Sequence, residues 1–182
     1  MIAYSPWYES ATIFEDILNT SHDVRLQWWE SRGGLYCYHP TLVVPVRDLL
    51  WSLGRRVYMT YTDVDGSTGL VSPSSLVSEL RSYGLDGLDI DLEHVCASDF
   101  WPWLTELCSL VSVSVCTYAS DDHFPGPGTW DRLRGLGCSI TCMVYDQPCT
   151  EDLSLVDCAY SPRLPPVVSY TPSVLWTLHD RI

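Results

Sequence analysis

The chain has 182 residues, of which 46% are apolar and 18% charged, a composition that excludes disorder and is enough for one compact core. Its net charge is −13, from 23 acidic and 10 basic residues, and no basic stripe is present. A nucleic-acid partner and an anionic membrane surface are therefore excluded on electrostatic grounds. We expect residues 1–182 to form a single domain.

Nothing in the sequence predicts a membrane anchor. The first ten residues, MIAYSPWYES, lack the charged leader and apolar run of a signal peptide. No stretch approaches the roughly 18 apolar residues that a membrane helix needs. We expect a soluble chain, whether a mature form, a domain of a longer protein or a product released by lysis, and we leave its oligomeric state and cellular location open.

Strands and helices alternate along the sequence. Short apolar runs predict strands over 2–6, 57–61, 85–92, 111–117, 139–145 and 167–170, while 24–28 and 35–38 compete for one further strand. Helical spacing predicts helices over 10–18, 42–53, 73–83, 98–110, 130–136 and 152–158, and the run 174–178 fits either state. Pro45 is expected to interrupt the second helix, and Ser98 to cap the fourth.

The connections between these strands are too long for hairpins, so they predict a parallel sheet with helical crossovers. Seven or eight units can be counted, and a compact or trimmed (β/α)8 barrel of the TIM type is the natural closure. A doubly wound open sheet is the alternative. The sequence has no G-x-G-x-x-G fingerprint, which disfavours a dinucleotide-binding version of that sheet.

The most informative segment is the strand over 85–92 and the residue after it. Alternation places three aliphatic residues on one face and three acids on the other: Leu88, Ile90 and Leu92 against Asp89, Asp91 and Glu93. Like charges about 7 Å apart raise one another's pKa, so at least one carboxyl is expected to keep its proton near neutral pH. A protonated acid can expel a sugar leaving group. A solvated acidic edge strand or a divalent-metal site are the alternatives.

The segment 86–93 resembles the D-G-x-D-x-D-x-E signature of the family 18 glycoside hydrolases, the chitinases and endo-β-N-acetylglucosaminidases. All five fixed positions match. Three weaker similarities occur in the family's order: Tyr4-Ser5-Pro6-Trp7 resembles the first strand, Met143-Val144-Tyr145-Asp146 resembles the M-x-Y-D strand end, and Val174-Leu175-Trp176 resembles the last strand. The resemblance implies hydrolysis of β-1,4 bonds next to N-acetylglucosamine, with retention and without an enzyme nucleophile.

The resemblance also implies the catalytic roles. Glu93 would protonate the glycosidic oxygen and later activate water. Asp91 would orient the substrate's acetamido group, whose oxygen attacks the anomeric carbon. Asp89 would share a proton with Asp91, and Tyr145 would hydrogen-bond the acetamido group. Asp86 is interpreted as structural.

The remaining implied residues bind substrate. Asp146, Met143 and Tyr4 would contact the sugar, and Trp176 would form the floor beneath it. The expected partner is an N-acetylglucosamine-containing oligosaccharide or polysaccharide. The third strand ends in Thr60-Tyr61-Thr62-Asp63 instead of the family's S-x-G-G, and the chain has no room for the insertion that deepens many chitinase grooves. A shallow cleft is therefore expected.

The eight cysteines do not predict a metal site. Cys108, Cys116, Cys138 and Cys142 lie in apolar patterns, where a buried free thiol is commoner than a disulfide, although their even number also admits disulfides. The spacing of Cys138, Cys142 and Cys149 matches no usual zinc pattern and has no histidine pair. We therefore expect no metal and no cofactor.

Two further interpretations remain open. The tryptophan pairs Trp28-Trp29 and Trp101-x-Trp103 are expected to pack in the core, with sugar stacking as the alternative. For the whole chain, a chitinase-like lectin that lost turnover, or a virion or surface attachment protein, are the alternatives to a hydrolase. Retention of Glu93 argues against the lectin.

Overall fold

A computed structural model describes residues 2–6, 23–63, 69–92, 95, 97–118, 128–143 and 157–158, of which 2–6, 118, 142–143 and 157–158 are described by their backbone alone. The strands are β1 Ile2–Pro6, β2 Asp23–Ser31, β3 Leu35–Cys37, β4 Val57–Thr62, β5 Gly87–Asp91, β6 Val113–Tyr118, β7 Ser139–Met143 and β8 Asp157–Cys158. The helices are α1 Val43–Ser52, α2 Pro73–Tyr83, α3 Ala97–Leu110 and α4 Thr129–Gly135.

Seven of these strands form one continuous parallel sheet in the order β1-β2-β4-β5-β6-β7-β8. The order follows the sequence without the reversal that defines the switch point of a doubly wound sheet. A sheet that always advances in one direction, with a helix in four of its crossovers, is the arrangement of a (β/α)8 barrel. The predicted α/β class and trimmed-barrel architecture are therefore confirmed.

The strand β3 is the one antiparallel element of the described sheet. It pairs with Trp29–Ser31 of β2, whereas β1 pairs with Asp23–Gln27 of the same strand. Because β4 occupies the other edge of β2, β3 continues the edge that β1 begins. The two segments that competed for one strand in the sequence are thus both strands, joined by a tight turn through Gly33 and Gly34.

The helix ends follow their sequence signals in most places. Ser72 caps α2 by accepting a hydrogen bond from the Ser75 N–H, and Gly84 ends the helix with φ of 63°, a left-handed conformation that glycine adopts without strain. The prediction that Pro45 interrupts α1 is wrong, because Pro45 lies in the first turn, where backbone N–H groups have no intrahelical partner.

Two further predictions about secondary structure are wrong. Ser98 does not cap α3, since the helix begins at Ala97 and the Ser98 hydroxyl donates to Asp99. Asp157 and Cys158, predicted as the end of a helix, pair in parallel with Thr141 and Cys142 as β8. The strands and helices predicted over 10–18, 167–170 and 174–178 lie outside the described residues.

The sheet buries its aliphatic face beneath the helices. The four tryptophans of the two pairs are at most 8% exposed, which confirms packing over sugar stacking. Trp29 donates its indole N–H to Glu79 on α2, and Trp103 on α3 donates to the Val71 carbonyl. Among the helices that the structure describes, none has the length and apolar character to cross a bilayer.

Candidate active site

The alternation predicted for β5 is confirmed in the described residues. Leu88, Ile90 and Leu92 are buried in the hydrophobic core cluster. Asp89 and Asp91 lie on the opposite, inner face, where their contacts are with polar side chains of neighbouring strands. The two faces of one short strand therefore separate the core from a polar interior.

Asp89 is fully buried and paired with a cation. Its carboxylate Oδ1 lies 3.0 Å from Nη1 of Arg25 on β2. Oδ2 accepts from the Thr60 hydroxyl at 3.2 Å, and the Cys116 thiol lies 3.6 Å away. A carboxylate can be kept at zero exposure only with such partners, since an isolated buried charge is very costly.

Arg25 is the central residue of this interior. Its guanidinium bridges three strands: it pairs with Asp89 on β5, donates to the Ser114 hydroxyl on β6 at 2.8 Å, and donates to the Thr141 hydroxyl on β7. The fork of N–H groups on arginine suits this geometry, and lysine could not reproduce it. Sequence reasoning missed Arg25, although a single arginine between Val24 and Leu26 in a predicted strand was a usable signal.

Asp91 lies one pleat nearer the carboxyl ends of the strands. Its Oδ2 accepts from Nε2 of Gln27 at 2.8 Å, and the residue is 9% exposed. Gln27, like Arg25, was not singled out in the sequence. The next inward position of the alternation is Glu93, which lies outside the described residues.

The other predicted site residues are only partly described. The backbone of Tyr4 pairs with Arg25, and that of Met143 pairs with Tyr118. Tyr145, Asp146 and Trp176 lie outside the described residues. Of the predicted site residues, the structure therefore describes the side chains of Asp89 and Asp91, on one face of β5, and only the backbone pairing of Tyr4 and Met143.

A row of four residues crosses the sheet at the level of Asp91, near the carboxyl ends of the strands. In strand register, Tyr36 of β3 lies opposite Glu30 of β2, Glu30 is opposite Thr62 of β4, and Thr62 is opposite Asp91. These four residues therefore form one row across the sheet, which we call the rim row. With strands about 4.8 Å apart, Tyr36 and Asp91 are separated by about 14 Å along the sheet.

The outer end of the rim row is held by a cluster of charged and aromatic groups. Buried Glu30 accepts from the Tyr38 hydroxyl at 2.5 Å and is ion-paired with Arg32. The Arg32 guanidinium lies 5.2 Å from the centre of the Tyr36 ring and 5.0 Å from that of Tyr38, within the range of cation–π attraction. Tyr36 is 44% exposed, so this anchored ring is open to solvent.

Asp86, the first residue of the D-G-x-D-x-D-x-E motif, has structural contacts. Its Oδ2 accepts from the Val57 N–H and from the Trp51 indole N–H, each at 2.7 Å. Its own N–H donates to the Val57 carbonyl at 2.8 Å. Asp86 thus aligns the start of β5 with the start of β4, which agrees with its interpretation as structural.

The close approach of the Tyr58 ring requires glycine at position 87 of the motif. A Cβ on Gly87 would lie 2.7 Å from two ring carbons of Tyr58, a distance that forces the ring to move. That ring lies within cation–π range of the guanidinium groups of Arg25 and Arg56, at 5.8 and 5.7 Å from its centre. Burial raises the pKa of Tyr58, so the phenol stays neutral between the two cations.

We predict that Gly87→Ala lowers the free energy of unfolding by about 1–3 kcal/mol, because the added methyl overpacks this contact. Urea denaturation measures the change. A Tyr58→Leu background provides the control, because shortening the ring should remove most of the penalty. An equal loss in both backgrounds would contradict the steric explanation.

A polar cavity of about 400 Å³ lies at the opposite end of the strands from the acids. Its lining includes Asp23, Arg56, Ser112 and Ser139, which begin or precede their strands, and extends to Arg25 and Ser114 of the polar interior. In barrel enzymes the catalytic groups lie at the carboxyl ends of the strands, so this cavity is not the candidate site. Within the described part of the chain, no three His, Cys, Asp or Glu residues are placed to hold a metal ion.

No protein-family model matches the sequence, and no curated protein is similar to it. Solved structures do match. The chitinase of Chromobacterium violaceum superposes with a TM-score of 0.61 at 18% identity over 80% of this chain and 55% of that one. The spore cortex-lytic enzyme SleL of Bacillus cereus gives 0.61 at 13% over 80% and 40%.

A third match is not described as a glycosidase. A xylanase and α-amylase inhibitor protein, solved with trehalose, has a TM-score of 0.58 at 16% identity, over 81% of this chain and 66% of that one. Identities this low establish the fold alone. The chain spans about half the length of the first two structures. The chain therefore shares its fold with chitinases, a spore cortex-lytic enzyme and an inhibitor protein.

Proposed function

We propose that the chain is a chitinase-like glycoside hydrolase that cleaves β-1,4 bonds next to N-acetylglucosamine. The observation that supports the proposal is the position of the middle of the D-G-x-D-x-D-x-E segment: Gly87–Asp91 form β5, a buried strand of a parallel sheet, with Asp89 and Asp91 on the inner face. Substrate-assisted hydrolysis needs one carboxyl group as the acid and a second that orients the acetamido group, and the alternation of this strand predicts both on one face.

In this proposal the reaction proceeds with retention and substrate assistance. Glu93 protonates the leaving oxygen and then activates water. Asp91, oriented by Gln27, accepts a hydrogen bond from the acetamido N–H and so aims the acetamido oxygen at the anomeric carbon. Asp89 shares a proton with Asp91 and so tunes the charge of Asp91, while Arg25 compensates the charge of Asp89.

The binding residues are assigned on the family resemblance. Tyr145 hydrogen-bonds the acetamido group. Asp146, Met143 and Tyr4 contact the reacting sugar, and Trp176 lies beneath it. No metal or cofactor has a part in this scheme, because proton transfer and the substrate's own acetamido group supply the chemistry.

The test is mass spectrometry of N-acetylglucosamine oligomers, peptidoglycan fragments and N-glycan cores after incubation with the chain. The Glu93→Gln protein serves as the blank. Products that form only with the unaltered chain would support the hydrolase and name its substrate. Absence of products from every member of the panel would contradict it.

A carbohydrate-binding protein without turnover is the second candidate. It is favoured by the match to an inhibitor protein that was solved with a sugar. Calorimetric binding of oligomers that are never cleaved would support this reading. Absence of any sugar binding would exclude both candidates and leave an attachment protein that uses only the scaffold.

The rim row predicts how the substrate's length affects the reaction. About 14 Å separates Tyr36 from Asp91, a distance that a short oligosaccharide spans. We expect Tyr36→Ala to raise KM about 5–10-fold for long oligomers, with kcat unchanged, because it removes a stacking contact present in both ground and transition states. Disaccharide-length substrates should be unaffected.

Tyr36→Phe is the matched control and should behave like the unaltered chain, because the ring rather than the hydroxyl supplies the contact. Steady-state kinetics over a series of oligomer lengths measures the effect. An equal rise in KM at every length would show that Tyr36 supports the fold of the hairpin instead of contacting sugar.

A further inference from the structure

Two cysteine sulfurs meet on the outer side of the sheet. The Sγ atoms of Cys108 and Cys138 are 3.2 Å apart, and both thiols are free. A disulfide bond is about 2.05 Å long, so little more than 1 Å of approach separates this contact from a covalent bond. The two residues are 30 positions apart in sequence, which makes the contact a product of the fold.

The surroundings hold the two sulfurs in place. Cys108 lies in the last turn of α3, and Cys138 directly precedes β7, with its N–H donating to the Leu133 carbonyl at the end of α4. The guanidinium of Arg132 on α4 lies 3.8 Å from the ring centre of Trp101 on α3. This cation–π contact joins α3, which carries Cys108, to α4, the helix that precedes Cys138.

The two thiols differ in reactivity. The hydrogen bond from Cys138 lowers the pKa of Cys108, whereas the same bond, together with burial, raises the pKa of Cys138. Cys108 is also half-buried while Cys138 is buried. Cys108 is therefore the thiolate that can attack an external sulfur, and Cys138 is the thiol that follows.

We propose that Cys108 and Cys138 are a site of covalent modification, a dithiol that a low-molecular-weight disulfide such as oxidised glutathione converts to an intramolecular disulfide. Cys108 thiolate attacks one sulfur of the oxidant and releases one thiolate, leaving a mixed disulfide. Cys138 loses its proton and attacks Cys108 Sγ, releasing the second thiolate. Two protein thiols lose two electrons and two protons, and the oxidant is reduced to two thiols.

The disulfide would link α3, the helix that follows β5, to the residue that precedes β7. By closing a loop of about 30 residues it would restrict the unfolded chain, and we expect the melting temperature to rise by about 5–10 °C. The modification acts on stability, so it is independent of whether the chain hydrolyses sugars.

Peptide mapping of the full chain tests the proposal. After equilibration with oxidised glutathione, alkylation and digestion without reductant, a peptide pair joining Cys108 to Cys138 should be two hydrogens lighter than the sum of its parts. Cys37 is the internal control: it is half-buried, burial raises its pKa to about 11, and it should remain alkylatable.

Two variants complete the experiment. In Cys108→Ser the linked pair and the thermal shift between oxidised and reduced protein should both vanish, while Cys37→Ser should keep both. The mapping of the unaltered chain stands even if a variant does not fold. Recovery of both thiols in alkylated form, or a disulfide that joins Cys108 to a different cysteine, would overturn the proposal.

Discussion

The Glu93→Gln chain is expected to lose about 10²–10⁴-fold in kcat on N-acetylglucosamine oligomers while it keeps their binding. Glutamine preserves the size of the side chain and its hydrogen-bonding reach. It cannot deliver a proton to the leaving oxygen or remove one from water. The loss should therefore fall on the chemical step, with KM changed little.

The matched control is Glu106→Gln, the same substitution at an exposed position on α3. It makes the same change in net charge without touching the inner face, so its kinetics should equal those of the unaltered chain. Single-turnover kinetics and calorimetry separate turnover from binding. Full activity of Glu93→Gln would exclude Glu93 as the acid and leave the resemblance without its central residue.

The sequence was enough to predict β5 because a short buried strand has a period of two that few other structures share. Leu88, Ile90 and Leu92 could only face a core, which left Asp89 and Asp91 for the interior. The alternation of strands and helices likewise predicted a parallel sheet. These are local patterns, and the structure confirms them in the residues it describes.

The partners of the acids could not be predicted in the same way. Arg25 lies 64 positions before Asp89, and their contact depends on the register between β2, β4 and β5, which no local pattern specifies. Glu30 and Tyr36 came together through a hairpin that the sequence presented as two competing strands. The sequence thus predicted the inward-facing acids of β5, but not the side chains that hold them.

Arg25→Met is expected to lower the free energy of unfolding by about 3–5 kcal/mol, because it leaves the Asp89 charge buried without its cation. Methionine fills most of the volume of the arginine stem, so the loss reports charge more than packing. Arg56→Met is the matched control. Arg56 also pairs with an aspartate, Asp23, but its side chain is 66% exposed against 4% for Arg25.

Exposed ion pairs contribute about 1 kcal/mol or less, so Arg56→Met should cost no more than that. The double variant Arg25→Met with Asp89→Asn should recover at least half of the lost stability, since neither charge then remains in the interior. Urea denaturation of the unaltered chain, the two single variants and the double variant measures these free energies of unfolding. If Arg25→Met cost no more than Arg56→Met, the buried charge of Asp89 would not depend on Arg25, and the buried ion pair on which the proposed role of Asp89 rests would be wrong.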